Sequence, residues 1–485
     1  MHHEHPVKIL RYSIKNLWLL IFPLLRSVQL FPFSPQALID WFVGAWFDIL
    51  IFLLILGFAI LRWYCCRFEY SKEQICYESG VLACHRICIP CDRITTATET
   101  DSYLLRPLKI MHLKADTRIS ELPVSEISLL LRKKDLEQMR QVIPILHPTD
   151  RPHKPHRPGV LLTLLFSLLF SSSLTGTVYI IAFFFQAGAI ARDLFEELHV
   201  RQTFDEINDA AIRTFHAIPS VIVTICVFLA ACWLLSFAAN LLHYGRFRSH
   251  AGTDFLSVHM GILTRRRTHL RPMAVNYVIF KQNLVMKMFG VSSLHLSCPG
   301  YGNGRQSLPV LIPVVTKKST SLPLSALMPE ISDKEPPRKI CGKILAAWNF
   351  VWQPVTLIGV ILGVLLLTAE ILPDMEHLIF SLAVIALIPA VWLLLIRLVS
   401  IPAEYVGYNK KQIQLHYSKG FSFYTIAAPL HHVIGVKICK TPLSAKDDVC
   451  NMYIALSGPR RRTHRILGIS LHQAEELCTF LEEHR

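Results

Sequence analysis

Six arginines near the middle of the chain are the residues best suited to binding an anion. Four of them lie in FLSVHMGILTRRRTHLRP (255–272), where two alternating runs flank a Met-Gly turn and predict a β-hairpin. Guanidinium groups match phosphate with paired donors, so the hairpin could contact anionic lipid headgroups. The six residues are Arg246, Arg248, Arg265, Arg266, Arg267 and Arg271.

The sequence also allows two different roles for these arginines. Basic residues beside an apolar segment mark the cytoplasmic side of a membrane without binding any ligand. A protein partner with an acidic surface would also attract them. Alternation puts Arg265, Arg267 and His269 on one strand face, with Arg266 and Thr268 on the opposite one, and neither face is wholly apolar.

A second cluster has the residue types of a zinc site. Cys84, His85, Cys88 and Cys91 lie in ACHRICIPC. The run alternates like a strand, which separates Cys84 and Cys88 from His85, and only Cys76 is near enough to add a ligand. Small buried thiols are therefore the favoured interpretation, and we expect no metal and no cofactor. The 13 cysteines are expected to be reduced.

A third candidate is a pair of opposite charges inside apolar sequence. Arg26 interrupts the first apolar run, and Asp40 lies at the same distance beyond the Pro-rich turn FPFSPQ. Charges within a membrane are functional candidates, but a pair near the boundary is more simply a staple between two helices.

Catalytic motifs and further binding motifs are weak in this sequence. GYGNGR (300–305) lacks the Lys-Ser/Thr of a phosphate loop, and no Ser/His/Asp or Cys/His set has a nucleophile context. His2, His3 and His5 are expected to lie in a solvated tail. We therefore expect a protein that is not an enzyme.

Composition shows what kind of chain carries these residues. Of 485 residues, 52% are hydrophobic and 18% charged, and the net charge is +15. A positive balance suits nucleic acid or an anionic membrane, and the high apolar content favours the membrane.

Six apolar stretches predict transmembrane helices grouped in three hairpins. The segments between the hairpins are long and basic, whereas the linker between the third and fourth stretches is acidic. The predicted topology therefore places both termini and all long segments in the cytoplasm. The stretches are 17–31 and about 37–61, 160–189, 218–242, 355–372 and 378–399.

The three basic segments share one pattern. Each has an alternating run, a glycine, a second alternating run, a proline and further strand-like sequence. The first segment is followed by a helix-like stretch at 125–142. The third is followed by one after Ser470, and the middle segment by a shorter one at 322–331. The glycines and prolines are Gly80, Gly261, Gly420, Pro90, Pro272 and Pro429.

This order resembles the bacterial pleckstrin-homology domain family, and more narrowly its YdbT-type integral membrane proteins. The resemblance lies in GILTRRRTHLRPMAV and in NLVMKMFGVSSLHLSCPG, where Lys287, Phe289 and Gly290 match a family segment. It implies three cytoplasmic bent antiparallel barrels, each capped by a C-terminal helix, on a multi-pass α-helical membrane protein of about six transmembrane helices. Family members are binding modules with no catalytic residues to transfer.

The expected domains follow the chain in order. They are a cytoplasmic tail (1–16), hairpin 1 (17–61), PH-like domain 1 (62–150), hairpin 2 (151–243), PH-like domain 2 (244–335), hairpin 3 (336–399) and PH-like domain 3 (400–485).

The expected function is binding or assembly at a bacterial inner or plasma membrane, in maintenance of the cell envelope. Expected partners are the lipid bilayer and anionic lipids, with no nucleic acid. The resemblance adds a smaller one-domain PH-like membrane protein as a partner. The alternative is a small-molecule or peptide transporter or channel component, which six spans would permit. Few polar residues in the spans and no visible inverted repeat count against it.

Overall fold

The structure is a computed structural model that describes most of the chain in thirteen stretches. They are 2–14, 46–81, 83–117, 126–146, 157–170, 220–251, 255–298, 310–316, 338–341, 347–371, 376–440, 448–458 and 462–484. The chain forms two compact units. The first comprises Met1–Arg151, Thr264–Ala274 and Pro299–Tyr301, and the second comprises Pro152–Leu263, Val275–Cys298 and Gly302–Arg485.

Eight described helices and twenty described strands make up the regular structure. The helices are α1 Trp46–Tyr64, α2 Lys133–Val142, α3 Val160–Phe170, α4 Ser220–Tyr244, α5 Leu284–Met288, α6 Ala347–Ile371, α7 Glu376–Ser400 and α8 Leu471–Glu483. The strands are β1 His2–His3, β2 Arg67–Tyr70, β3 Gln74–Ser79, β4 His85–Pro90, β5 Ile94–Asp101, β6 Ile110–Thr117, β7 Glu126–Arg132, β8 Arg248–Ala251, β9 Leu256–Met260, β10 Arg265–Leu270, β11 Tyr277–Asn283, β12 Val291–Ser297, β13 Val310–Thr316, β14 Arg338–Cys341, β15 Tyr405–Tyr408, β16 Gln412–Lys419, β17 Ser422–Pro429, β18 Val433–Cys439, β19 Val449–Leu456 and β20 Arg462–Ser470.

Two described helices are long and apolar enough to cross a membrane. Their apolar windows are Val351–Thr368 in α6 and Leu382–Ser400 in α7. Leu50–Tyr64 and Phe228–Tyr244 are shorter apolar helical stretches. The stretch 17–31 lies outside the described residues, so a total of six spans stays a prediction.

The first unit contains two antiparallel sheets around one core. One sheet has the order β1-β2-β3-β4, and the second runs β7-β6-β5-β10. Alternate residues of these strands point inward, and α2 covers the core with Leu136 and Met139. Burying such apolar side chains supplies the main stabilisation of a small β domain.

The second unit repeats this arrangement on a larger sheet. Seven strands follow the order β13-β12-β11-β17-β16-β15-β14, and a second sheet has the order β18-β19-β20. Helix α8 buries Ala474 and Leu477 against a core that includes Ile413, Ile454 and Ile469. Ser470 occupies the N-cap position, although its side chain makes no capping hydrogen bond.

The three prolines of the sequence pattern all mark corners between sheets. Pro90 and Pro429 end β4 and β17, and each leads into a 3-10 turn before the next strand. Pro272 begins the equivalent turn between β10 and β11. A fixed φ and a missing N–H suit proline to a point where a strand leaves one sheet for another.

Two local predictions were wrong. The segment 125–142 contains a strand, β7, before helix α2, because β7 pairs with β6 and Ile127, Leu129 and Leu131 enter the core. Leu284–Met288 is a short helix within sequence that was expected to be strand-like, and its N-cap is Asn283. The helix expected at 322–331 lies outside the described residues.

The N-terminal residues are also not the solvated tail that was expected. His2 and His3 pair with β2, and residues 7–14 are helical. Glu4 is buried, forms an ion pair with Lys8 and accepts a hydrogen bond from the backbone N–H of Leu130 at 3.1 Å. A charge buried in this way requires the segment to be ordered.

Replacing Gly80 by alanine is expected to disrupt the β3–β4 hairpin. Its φ is +132°, and an added Cβ would lie 1.8 Å from the carbonyl oxygen of Ala83. We expect a loss of about 3 kcal/mol or more in local stability, measured by hydrogen exchange of β3 and β4. Gly420 is the control, because its φ of +58° is strained but its Cβ would meet open space. Gly420→Ala should cost about 1–2 kcal/mol, and an equal loss for both variants would contradict the prediction.

Candidate functional site

The arginine strand β10 has one exposed and one buried face. Arg265 and Arg267 are exposed, whereas Arg266 and Thr268 are buried. Arg246 and Arg248 are exposed as well. The surface available to a phosphate therefore includes only part of the set that the sequence indicated.

The neighbour of β10 is an acidic strand of the same chain. Arg265 lies opposite Asp101 and Arg267 opposite Glu99 in the antiparallel pair β5–β10. Opposite charges at directly facing positions stabilise a strand pair. Both carboxylates also form ion pairs within the first unit, Glu99 with Arg140 and Asp101 with Arg106.

Arg271 has a structural role at the corner. Its guanidinium donates a hydrogen bond to the carbonyl oxygen of Asp92 at 2.7 Å, and its backbone N–H donates to the carbonyl of Thr95. These bonds hold the start of the turn at Pro272 against the turn after Pro90 and the first residues of β5. Arg271 therefore has less freedom to bind a ligand than Arg265 or Arg267.

The cysteine cluster is not arranged as a metal site. Cys76 and Cys88 face each other across β3 and β4 and form a disulfide, which corrects the expectation that all thiols are reduced. Cys84 is an exposed thiol, and Cys91 is a buried one. Among the described residues, no group of three or more His, Cys, Asp or Glu could hold a metal. Arg26 and Asp40 lie outside the described residues.

A basic pocket, which the sequence did not reveal, lies in the second unit. Its volume is about 320 Å³. The lining residues come from one end of the helix pair, where α6 begins and α7 ends, and from three strands of the third repeat. They are Trp352, Gln353, Arg397, Tyr417, Ser418, Lys419, Tyr453, Thr463, Arg465 and Leu467.

Among the described residues that line the basic pocket, three are cations and none is an acid. Arg397 comes from the end of α7, Lys419 from the end of β16 and Arg465 from β20. Lys419 and Arg465 are exposed, and the Arg465 guanidinium lies over the ring of Tyr453 at 5.8 Å. Hydroxyls of Ser418 and Thr463 add neutral hydrogen-bonding groups. Such a set suits an anion with several oxygens.

The buried side chain of Glu404 holds the residues of one wall of the basic pocket in position. Its buried carboxylate accepts hydrogen bonds from the backbone N–H groups of Ser418 at 3.0 Å and Leu467 at 3.2 Å, and from the hydroxyl of Ser400 at 2.9 Å. Arg397 donates to the Ser418 hydroxyl at 2.9 Å. Burial raises the pKa of Glu404, and its hydrogen bonds oppose that rise. The network fixes Arg397 and Ser418 in position.

The basic pocket lies where the apolar helix pair meets the β domain. Helix α6 contacts β20, α7 contacts β16, and only residues 401–404 separate α7 from β15. Trp352 stands near the same end of the pair and is 45% exposed. Tryptophan and arginine at the end of an apolar helix are typical of a membrane interface.

The sequence contains one signal that coincides with this site. RRRTH occurs both at 265–269 and at 460–464, and the second run directly precedes Arg465. The first run lies in β10, whereas residues 462–464 of the second run lie in β20, so their likeness is not part of the repeat. The nearness of Arg397, Lys419 and Arg465 depends on tertiary folding and has no signature in spacing.

Fold and site together define a protein that presents small antiparallel β domains, with a basic pocket beside an apolar helix pair. Residues 22–143 and 206–321 match the family model described as bacterial PH domain. These two regions belong to the bacterial PH domain family, which confirms the family predicted from the sequence. The third repeat lies outside both regions and shares their strand–corner–strand order. A comparison with curated proteins gave no match.

Proposed function

We propose that the chain is a non-enzymatic membrane protein whose PH-like domains bind and assemble at the bilayer surface. The basic pocket would take the phosphate-bearing headgroup of an anionic lipid. The PH-like domains would lie in the cytoplasm of a bacterial cell, and the apolar helices would lie in the inner or plasma membrane. Both termini would be cytoplasmic. Such a role fits maintenance of the cell envelope.

The observation that carries this proposal is the position of three cations around one cavity, where α6 begins and α7 ends. A headgroup at the bilayer surface would reach Arg397, Lys419 and Arg465 without leaving the interface. Each Lys or Arg near an anionic leaflet contributes about 1 kcal/mol of attraction. The exposed Arg265 and Arg267 are proposed as a second, weaker contact surface for lipid or partner.

Neutralising the pocket is expected to weaken lipid binding. The full chain carrying Lys419→Gln and Arg465→Gln would be purified in a neutral detergent and titrated with phosphatidylglycerol, while native mass spectrometry counts bound lipid. We expect an affinity about 30-fold lower than that of the unmodified chain, from the loss of two contacts of about 1 kcal/mol each. Arg397 is left unchanged because it also supports Ser418.

Two controls make this experiment decisive. Arg265→Gln with Arg267→Gln removes the same net charge on β10 and should reduce binding less than about threefold. Phosphatidylcholine and glycerol phosphate separate a lipid headgroup from a free phosphate: the proposal expects weak binding of the first and no competition by the second at equal concentration. Equal losses in the two double variants, or equal binding of both lipids, would contradict the pocket as the site.

A further inference from the structure

Two strand pairings in this chain follow one register rule. The strand before a corner in one repeat pairs with the strand after the corner in the preceding repeat. β10 pairs with β5 over six positions, from Leu270 opposite Thr96 to Arg265 opposite Asp101. β17 pairs with β11 over six positions, from Ala427 opposite Val278 to Ser422 opposite Asn283.

The register rule can be stated as residue offsets from the corner prolines. Leu270 and Ala427 stand two positions before Pro272 and Pro429. Their partners Thr96 and Val278 stand six positions after Pro90 and Pro272. The same offset in both pairings shows that the contact is part of the repeat. It is a built interface between neighbouring domains.

Two strands of the same kind each lack a neighbour on one side among the described strands. β4, before the first corner, ends the sheet β1-β2-β3-β4. β18, after the third corner, ends the sheet β18-β19-β20. Open edges of this kind are templates for another strand.

We propose that β4 of one chain pairs with β18 of a second copy and continues the array head to tail. Applying the observed offset to Pro90 and Pro429 places Cys88 opposite Gly435, and therefore Arg86 opposite Lys437 and Cys84 opposite Cys439. The second copy is the occupant that the structure favours, because it carries both complementary edges at the register already used twice.

The side chains of the two edges agree with this register on one face. Ile87 packs against the core of the first unit, and Val436 packs against the core of the third repeat. In the proposed pair they lie opposite each other, as Ala97 and His269 do in the pair β5–β10. The inward face would thus join two apolar cores across the pairing.

The outward face contains one unfavourable pair. Arg86 and Lys437 are both exposed, and like charges at facing positions weaken a strand pair. Arg86 is partly compensated within its own sheet, by Glu78 at 3.3 Å and Glu69 at 4.0 Å. The contact is therefore expected to be sensitive to substitution at Lys437. Because the two edges differ, such contacts either close into a ring or extend into a chain.

A native pair of thiols provides the first test. Directly opposed strand residues have Cα atoms about 4.5–5.5 Å apart, which is within the range for a disulfide. Cys84 is exposed and free, and Cys439 is half-buried and free. Full chains carrying Cys84→Ser and Cys439→Ser would be produced with different tags in the same membrane. Copper(II)–phenanthroline would then oxidise the two thiols to one disulfide, with two copper ions accepting one electron each and the two protons passing to water.

The expected result is a mixed dimer when both variants are present, with a Cys84–Cys439 peptide found by mass spectrometry. Neither variant by itself should give that peptide. The unmodified chain should give the same link between chains. A link found only within one chain, a link from either cysteine to a different protein, or no such link would each overturn pairing with a second copy.

Charge provides a second test that does not depend on oxidation. Lys437→Glu turns the like-charge pair into an opposite-charge pair, so the oligomer fraction should rise about two- to fivefold in chemical cross-linking with a non-thiol reagent. Lys410→Glu makes the same charge change at an exposed residue outside β18 and should leave the fraction unchanged. No rise with Lys437→Glu, or equal rises in both variants, would contradict the proposed register.

Discussion

Arg140→Ala is expected to destabilise the first unit by about 3–5 kcal/mol. The guanidinium of Arg140 contacts both carboxylate oxygens of Glu99, with the Nε–Oε1 distance at 2.7 Å. The Glu99 side chain is only 1% exposed. Removing its partner leaves a buried charge uncompensated in the middle of β5. Hydrogen exchange of β5 and β7 in the full chain would report the loss as faster opening.

Two variants separate burial from the mere loss of an ion pair. Arg106→Ala breaks the pair with Asp101, whose side chains are 37% and 24% exposed, and should cost less than about 1 kcal/mol. Replacing both Glu99 and Arg140 by methionine should restore most of the lost protection, because no buried charge remains. If Arg140→Ala and Arg106→Ala have equal effects, Glu99 is not the buried charge that the structure shows.

Glu404→Ala is the second large effect, expected at about 3–5 kcal/mol in the second unit. The substitution leaves the buried N–H groups of Ser418 and Leu467 without their acceptor. It also removes the support of the Ser418 hydroxyl, to which Arg397 donates. Faster exchange should therefore appear in β16 and β20 together, and phosphatidylglycerol binding should weaken with it. Protection lost in only one of the two strands would contradict a shared support.

The stability of the unmodified chain should depend on pH through the titration of Glu404. Burial raises the pKa of this carboxyl above its ordinary value of 4.5. A raised pKa in the folded state means that the folded protein keeps the proton to higher pH than the unfolded chain does. The stability that this group contributes is therefore fully present below the unfolded-state pKa, and it is lost as pH rises through the folded-state pKa. Glu404→Gln cannot titrate here. The stability of the unmodified chain relative to Glu404→Gln should therefore decline from about pH 4.5 upward, and a flat difference would contradict the raised pKa.

Much of the β structure could be predicted from local sequence. Alternation and the turn at Gly80 predicted β3 and β4, and the corresponding pattern around Gly420 predicted β16 and β17. The corner prolines were visible as a repeated spacing. Short-range patterns succeed here because a strand's two faces and a turn's backbone angles depend on neighbouring residues. The error at β7 arose because its apolar run is buried on both faces, where alternation disappears.

Local sequence was enough to indicate the bacterial PH domain family, the repeated strand–corner–strand unit and the two long apolar helices α6 and α7, since each depends on residues close together in the chain. Three features could be learned from the fold alone: which arginines are exposed, that β10 pairs with the acidic β5, and that Arg397, Lys419 and Arg465 surround one pocket. Those residues are brought together by strand pairing and helix packing between distant segments. The register of such contacts depends on which strand edges pair and which faces are buried. The spacing of residues along the chain does not show either of these.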